Sequence, residues 1–497
     1  KTEAETTAAA QTEAGGEKNL VMPSASCVAN LNPLLEGYKE AAMLNPIYDP
    51  LYVIDVNETR YYLADSYEVS EGMQITVKLK EDLKWHDGEA ITADDMIFTM
   101  DVCSDTNNGA GGTNIVILND QPVKYEKVDD LTVKVTLPMA SASYADLLGG
   151  LTLIPEHVFE GNPSVVSAGE ANMKGIGSGP YKVTEFKQDE YLLLEKYEDY
   201  YMGAPSIDKV TFRIISDLSA QEVALMNGEV NFMELANAPA VAKYEADPNF
   251  TVVKYPEGRV NYLAVNKFCE TVQDPKVVEA VFAALNRDEI IAGAYGDGMA
   301  ESANSIFSNV NTFYDPSVEG YTQDVEKAKQ LVKETGLDSK TLTLYFNSER
   351  VYMKESAQII QQQLKNVGIN LEVIPLESAG FFEKVFGTDG DYEFYLNGYG
   401  AVGDPDQVVA GMYDGTWGVN LAVSDEVSQL WKDARTVYTP EERAAIYKQI
   451  QIQTRDELTC YPIAYPNYVF VTTSNIKGAD TIKRTPVFED YTKLTME

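Results

Sequence analysis

The chain has 497 residues, 44% hydrophobic and 10% aromatic, with a formal net charge of −38. The length exceeds one ordinary domain and the apolar content supplies large cores, so two or more lobes are expected. The charge excludes nucleic acid as a partner and excludes electrostatic docking on an anionic lipid surface, because nothing offsets phosphate repulsion.

Residues 1–18 contain no Phe, Trp, Tyr, Ile, Leu or Val. Such a segment cannot bury enough apolar surface to offset its ordering entropy, so it reads as a flexible tether. Asn19-Leu20-Val21-Met22 reads as an opening strand, and a helical stretch is expected around Ala41-Ala42-Met43-Leu44. Ile75, Val77 and Leu79 alternate with polar residues, the pattern of a half-buried strand. Asp87-Gly88 is a turn pair, and Thr92 with Asp95 forms an acidic capping box ahead of Met96-Ile97-Phe98. Leu131, Val133, Val135 and Leu137 mark a further strand.

The glycines of Gly175-Ile176-Gly177-Ser178-Gly179 precede Pro180 and a strand. A dinucleotide loop needs a helix there, and a nucleophile elbow needs Gly on both sides of Ser178 at two removes, so neither reading holds. From about residue 261 helices and strands alternate. Helices are expected from Pro275, over Val325–Val332 with a stop at Gly336, and through Ile359, Ile360, Leu364 and Val367 with a stop at Gly368. Strands are expected at Leu342–Phe346 and Leu371–Ile374, which makes this part α/β. Tyr468-Val469-Phe470-Val471 reads as a late strand returning to the first lobe.

Cys27, Cys103, Cys269 and Cys460 are widely spaced, with no metal-ligand pattern. Buried free thiols are the plain reading, and one disulfide, Cys27–Cys269, is the alternative. The only histidines, His86 and His157, read as structural. No metal site and no cofactor is expected. There is no HExxH, no P-loop and no nucleophilic Cys beside a His, so no enzyme is expected.

Several strings, taken in order, resemble the extracellular solute-binding proteins, family 5, the receptors of peptide-type ABC importers. They are Leu63-Ala64-Asp65-Ser66-Tyr67, the run from Leu83 through Trp85-His86-Asp87-Gly88 to Asp95, Gly175 to Val183, Tyr200-Tyr201-Met202-Gly203-Ala204-Pro205, and Ala224 to Val230. Ser178 replaces the family's Thr, and Asn231 its usual Asp. The resemblance implies an α/β, two-lobed periplasmic-binding-protein-like fold of type II, with an extra subdomain in lobe one. Lobe one is expected at about 19–260 plus 466–497, with the subdomain at about 51–175, and lobe two at about 261–465.

The resemblance further implies a monomeric, extracytoplasmic receptor whose closed form docks on an ABC permease. It places a lipidated Cys upstream, absent from this sequence. The expected ligand is an oligopeptide or dipeptide, and the alternative is an oligosaccharide or other small solute. Peptide-binding members hold the ligand amine with an acidic residue after a Gly-Trp pair. Here Tyr399 replaces that Trp, and no Asp lies between it and Asp404. Either Asp404 takes the amine, or it caps the turn before Pro405. Tyr399, Asn397, Trp417 and Asn420 are the expected cleft lining. Arg259 is expected to meet a carboxylate or to form an interlobe salt bridge, and Tyr461 and Tyr465 are expected at the hinge.

Overall fold

One eight-stranded sheet carries the chain from one half of the molecule to the other. The computed structural model describes residues 17–36, 43–54, 58–70, 72–118, 120–400, 402–414, 418–419, 421–481 and 490–497. At the centre of the sheet is a strand of 14 residues, Cys460–Thr473. Its first part pairs with Arg259–Val265, and its second part pairs with Phe250–Pro256. Strand Arg259–Val265 is nearly all apolar because both its faces are covered. Leu263 and Val265 enter one core, and Val260, Tyr262 and Ala264 the other.

Helices Pro275–Ala284, Val325–Thr335 and Val351–Asn366 cover the first of these faces. Helices Ser378–Phe386, Asp425–Ala434 and Pro440–Asp456 cover the second. Strands Thr341–Asn347, Asn370–Leu376 and Phe394–Gly400 run parallel, joined by helical crossovers, so their carboxyl ends share one edge.

The other half is built on a four-stranded sheet of Asn19–Ser24, Lys209–Ile214, Tyr191–Lys196 and Tyr181–Lys187. A third body packs helix Ala93–Ser104 on the antiparallel strands Ala64–Ser70, Gln74–Leu79, Thr132–Thr136 and Lys124–Asp129. Its Ile75, Val77 and Leu79 are buried, as their alternation requires. The capping box forms: Thr92 accepts from Asp94 and Asp95 accepts from the Thr92 amide. Gly88 and Gly336 take the left-handed conformation at φ 95° and 68°.

Some expectations differ from the structure. Residues 41 and 42 of the expected early helix lie outside the described residues, and from Met43 the backbone makes turns, not an α-helix. Residues 1–16 of the expected tether also lie outside, whereas the Lys18 amide already donates to Asp208 at 3.0 Å. The Cys27–Cys269 disulfide does not form. All four thiols are free, and Cys103, Cys269 and Cys460 sit in three separate cores. Asn231 in place of Asp has a reason. Its amide accepts from the Val21 backbone at 2.8 Å and donates to the Asn19 carbonyl at 2.8 Å, and a carboxylate cannot make the second bond.

Three of the sequence strings dock on one another. The His86 amide donates to the Gly177 carbonyl, Nδ1 accepts from the Gly177 amide at 3.2 Å, and Nε2 bonds the Gly179 carbonyl at 2.9 Å. A single neutral tautomer satisfies all of these, and burial pushes the imidazole pKa down to about 4. Gly177 must be glycine, since a Cβ there would lie 2.0 Å from the Ile47 carbonyl oxygen. Ser178 accepts from the Asp49 amide at 3.1 Å, and the Asp49 carboxylate accepts from Tyr200 at 2.9 Å and Tyr201 at 2.7 Å. Burial raises that carboxyl to about 7. His157 pairs with Asp87 at 2.8 Å, so both histidines have structural partners.

These two buried groups respond to pH with opposite signs. His86 protonates near 6.5 when unfolded and near 4 when folded, so its contribution is present above pH 6.5 and lost toward 4. Asp49 keeps its proton up to about pH 7 when folded, against 3.8 unfolded, so its contribution is full below 3.8 and lost toward 7. In denaturant titrations the free energy of His86→Gln relative to wild type is expected to improve as pH falls from 7 to 4. That of Asp49→Asn is expected to improve as pH rises over the same window. A pH-independent difference for either variant removes that group from the account.

Candidate functional site

Open α/β sheets receive ligands outside the carboxyl ends of their parallel strands. Here that edge is formed by Asn347, Leu376 and Gly400, where Arg259 lies directly opposite Gly400. Both passages between the halves, Glu257-Gly258 and the middle of Cys460–Thr473, lie at the same edge. The site is therefore the mouth between the two halves.

Arg259 opens its strand half-buried. Its Nε donates to Asn261 Oδ1 at 3.1 Å and its Nη2 to the Gly398 carbonyl at 2.7 Å. Glu257 sits nearby. Burial raises its carboxyl pKa, and the charges of Arg259 and Arg350 pull it back down. Arg350 also acts on Glu349, so the two arginines here face two glutamates. Asn397 is half-buried in Phe394–Gly400, opposite Tyr262. Gly258 has φ 73°, and a Cβ there would lie 1.9 Å from Val402.

Other expected site residues are placed elsewhere. Tyr399 points into a core, where its hydroxyl donates to the Ile306 carbonyl at 2.6 Å and meets Tyr413 at 3.0 Å. It offers no stacking surface. Asp404 caps the turn before Pro405, accepting from the Asp406 amide, and pairs bidentately with Arg443 at 2.5 and 2.9 Å. Its charge is neutralised within its own lobe, so the geometry does not support it as the amine contact. Trp417 and Asn420 lie outside the described residues. Tyr461 stacks on Tyr321 at 5.2 Å, and Tyr465 accepts from the Ser305 amide at 3.0 Å. Both are buried anchors of a continuous strand, and the left-handed residue at the crossing is Gly258 instead.

The halves touch beside this mouth. Ser143 Oγ donates to Asp406 Oδ2 at 2.7 Å and accepts from Gln407 Nε2 at 2.7 Å. The Asp404 amide donates to Asp146 at 3.0 Å, and the Ala142 amide donates to the Arg435 carbonyl at 3.1 Å. Arg435 in turn holds Asp406 and Asp414, each at 2.5 Å. Sequence reasoning missed Ser143 and Arg443, whose partners are distant in the chain, and Asn261, which is held between its near neighbour Arg259 and the remote Tyr295. Among the described residues, no group of three or more His, Cys, Asp or Glu is placed to hold a metal. The arrangement can recognise charge and backbone polarity by hydrogen bonding.

The family model described as bacterial extracellular solute-binding proteins, family 5 Middle, matches residues 58–420. The dipeptide-binding protein of Escherichia coli (strain K12) is 26% identical over 499 residues, covering 93% of this chain and 92% of that one. The crystal structure of the ABC transporter substrate binding protein CtaP from Listeria monocytogenes matches with a TM-score of 0.89 and 32% identity, over 97% of this chain and 99% of that one. The oligopeptide-binding protein AppA from Bacillus subtilis, in complex with a nonapeptide, matches with a TM-score of 0.73 and 26% identity, over 97% and 99% of the two chains.

Removing one partner of a buried ion pair strands the other charge. Arg443→Met is expected to cost about 3–5 kcal/mol in equilibrium unfolding, and adding Asp404→Asn is expected to recover a large part of that loss. Additive losses in the double variant contradict the pairing.

Proposed function

The chain belongs to the bacterial extracellular solute-binding proteins, family 5, and from that membership we propose that it captures peptides between its two lobes and delivers them to the permease of an ABC importer. It is a binding protein and not an enzyme, with the type II periplasmic-binding-protein fold. The observation that carries the peptide reading is near-full-length similarity to a dipeptide-binding protein and to an oligopeptide-binding protein solved with a nonapeptide.

In this reading lobe one comprises about 19–260 with 466–497, including the subdomain at about 51–175, and lobe two comprises about 261–465. Arg259 receives a ligand carboxylate by charge-assisted hydrogen bonds. Asn397 and the strand edges bond the peptide backbone. Asp404 is left to its structural role. The ligand touches both lobes only when they are closed, so it selects the closed state. Gly258 absorbs the backbone change. The receptor acts as a monomer outside the cytoplasm, in the periplasm or on the outer face of the membrane, tethered by a lipidated Cys upstream. Of the two aromatic platforms that the oligosaccharide alternative expects, Trp417 and Tyr399, the second is buried.

Native mass spectrometry of the purified protein, followed by ligand release, is expected to yield a heterogeneous set of short peptides. A single sugar-like mass overturns the peptide reading. Gly258→Ala is expected to weaken peptide binding about tenfold, ~1.4 kcal/mol, and to enlarge the radius of gyration of the liganded form in small-angle scattering. Unchanged affinity and radius remove Gly258 from the hinge.

A further inference from the structure

Arg259 is held from two sides, and the way it is held leaves one edge of its guanidinium presented. Nε is committed to Asn261 Oδ1 and one Nη2 proton to the Gly398 carbonyl. Both Nη1 protons and the second Nη2 proton remain. They form the end-on edge that matches the two oxygens of a carboxylate.

The orientation of Asn261 is fixed in turn. Its Oδ1 faces Arg259 while its Nδ2 donates to the Tyr295 hydroxyl at 2.8 Å, and the reverse amide orientation would set Nδ2 against the Arg259 Nε–H, donor against donor. Asn261 is 3% exposed, which makes an unpaired amide costly. The Tyr295 ring is itself fixed by stacking on Tyr352, with centroids 5.4 Å apart. Gly398 closes the arrangement. Its backbone is not left-handed, so the need for glycine is one of space. A Cβ there would lie 2.1 Å from Asn261 Oδ1 and 3.0 Å from Arg259 Nε. Any side chain at 398 expels the Asn261 carbonyl that orients the arginine.

We propose that Gly398, Asn261 and Tyr295 form a cradle that presents Arg259 end-on to a ligand carboxylate, and so determine the preference for ligands that carry one. They are positioning residues, acting through Arg259. The inference rests on the peptide reading and adds the chemical class: peptides with a free carboxylate at the end seated against lobe two. The carboxylate belongs either to the C-terminus or to an acidic side chain there.

The test is calorimetric titration with short alanine-rich peptides in three forms: free acid, C-terminal amide, and C-terminal amide ending in glutamate. Wild type is expected to favour the free acid over the plain amide by about tenfold or more. Asn261→Ala and Gly398→Ala are expected to reduce that ratio to near one with little change in affinity for the amide. Tyr295→Phe keeps the ring stack and removes only the hydroxyl, so it serves as the mild variant, with a partial loss of the ratio. A merely structural role lowers affinity for all three forms together.

Strong binding of the glutamate amide assigns the carboxylate to a side chain, and weak binding assigns it to the C-terminus. Both agree with the cradle. An acid-to-amide ratio of one in wild type overturns the inference while leaving peptide binding intact. A ratio preserved in all three variants overturns the cradle. Failure of every form to bind overturns the peptide reading beneath it.

Discussion

The architecture depends on one continuous hydrogen-bond ladder. Strand Cys460–Thr473 pairs with Arg259–Val265 in one half and with Phe250–Pro256 in the other, so the two halves share a sheet instead of merely touching. A shared sheet cannot slide without breaking many backbone bonds at once, and each buried unmade bond is costly. Pro462 and Pro466 lie within this strand, where each withholds a ladder donor. Gly258 supplies the one left-handed residue where the companion passage turns from one half into the other.

The same constraint sets the chemistry of the mouth. Parallel strands and their crossovers bring loop ends, an arginine-flanked glutamate and the Asp404–Arg443 pair to one edge. An acidic chain keeps most of its charge exposed, where it is screened. Beside the mouth three carboxylates are paired: Asp404 with Arg443, and Asp406 and Asp414 with Arg435. The loop Gly403–Gln407 is thereby held on its own side and offers Asp406 and Gln407 to Ser143 across the gap.

Much of the fold was legible because its signals are local. Thr92 and Asp95 cap a helix three residues apart, Gly336 ends another, and Ile75, Val77 and Leu79 alternate, all within reach of short-range rules. The site was less legible because its decisive partners are remote. Arg443 lies 39 positions beyond Asp404 and on a different helix, so nothing near Asp404 announces that its charge is already matched. Tyr399 sits in a strand with both faces covered, where alternation does not say which face meets the ligand. Gly398 carries no turn signal, since its glycine is demanded by the Asn261 carbonyl and not by φ. Arg259 drew notice from its position at the expected crossing between the lobes, where the structure places it at the start of strand Arg259–Val265.

The hub formed by His86, Gly177, Ser178 and Asp49 has a consequence for life in an uncontrolled medium. A buried neutral imidazole is penalised by acid, and a buried carboxyl is penalised by alkali, and the two are tied to neighbouring residues of the same glycine loop. Across mildly acidic conditions one loss is set against the other, as a counterweight is set against a load. Between about pH 4 and 7 the two contributions therefore change in opposite directions within one hub.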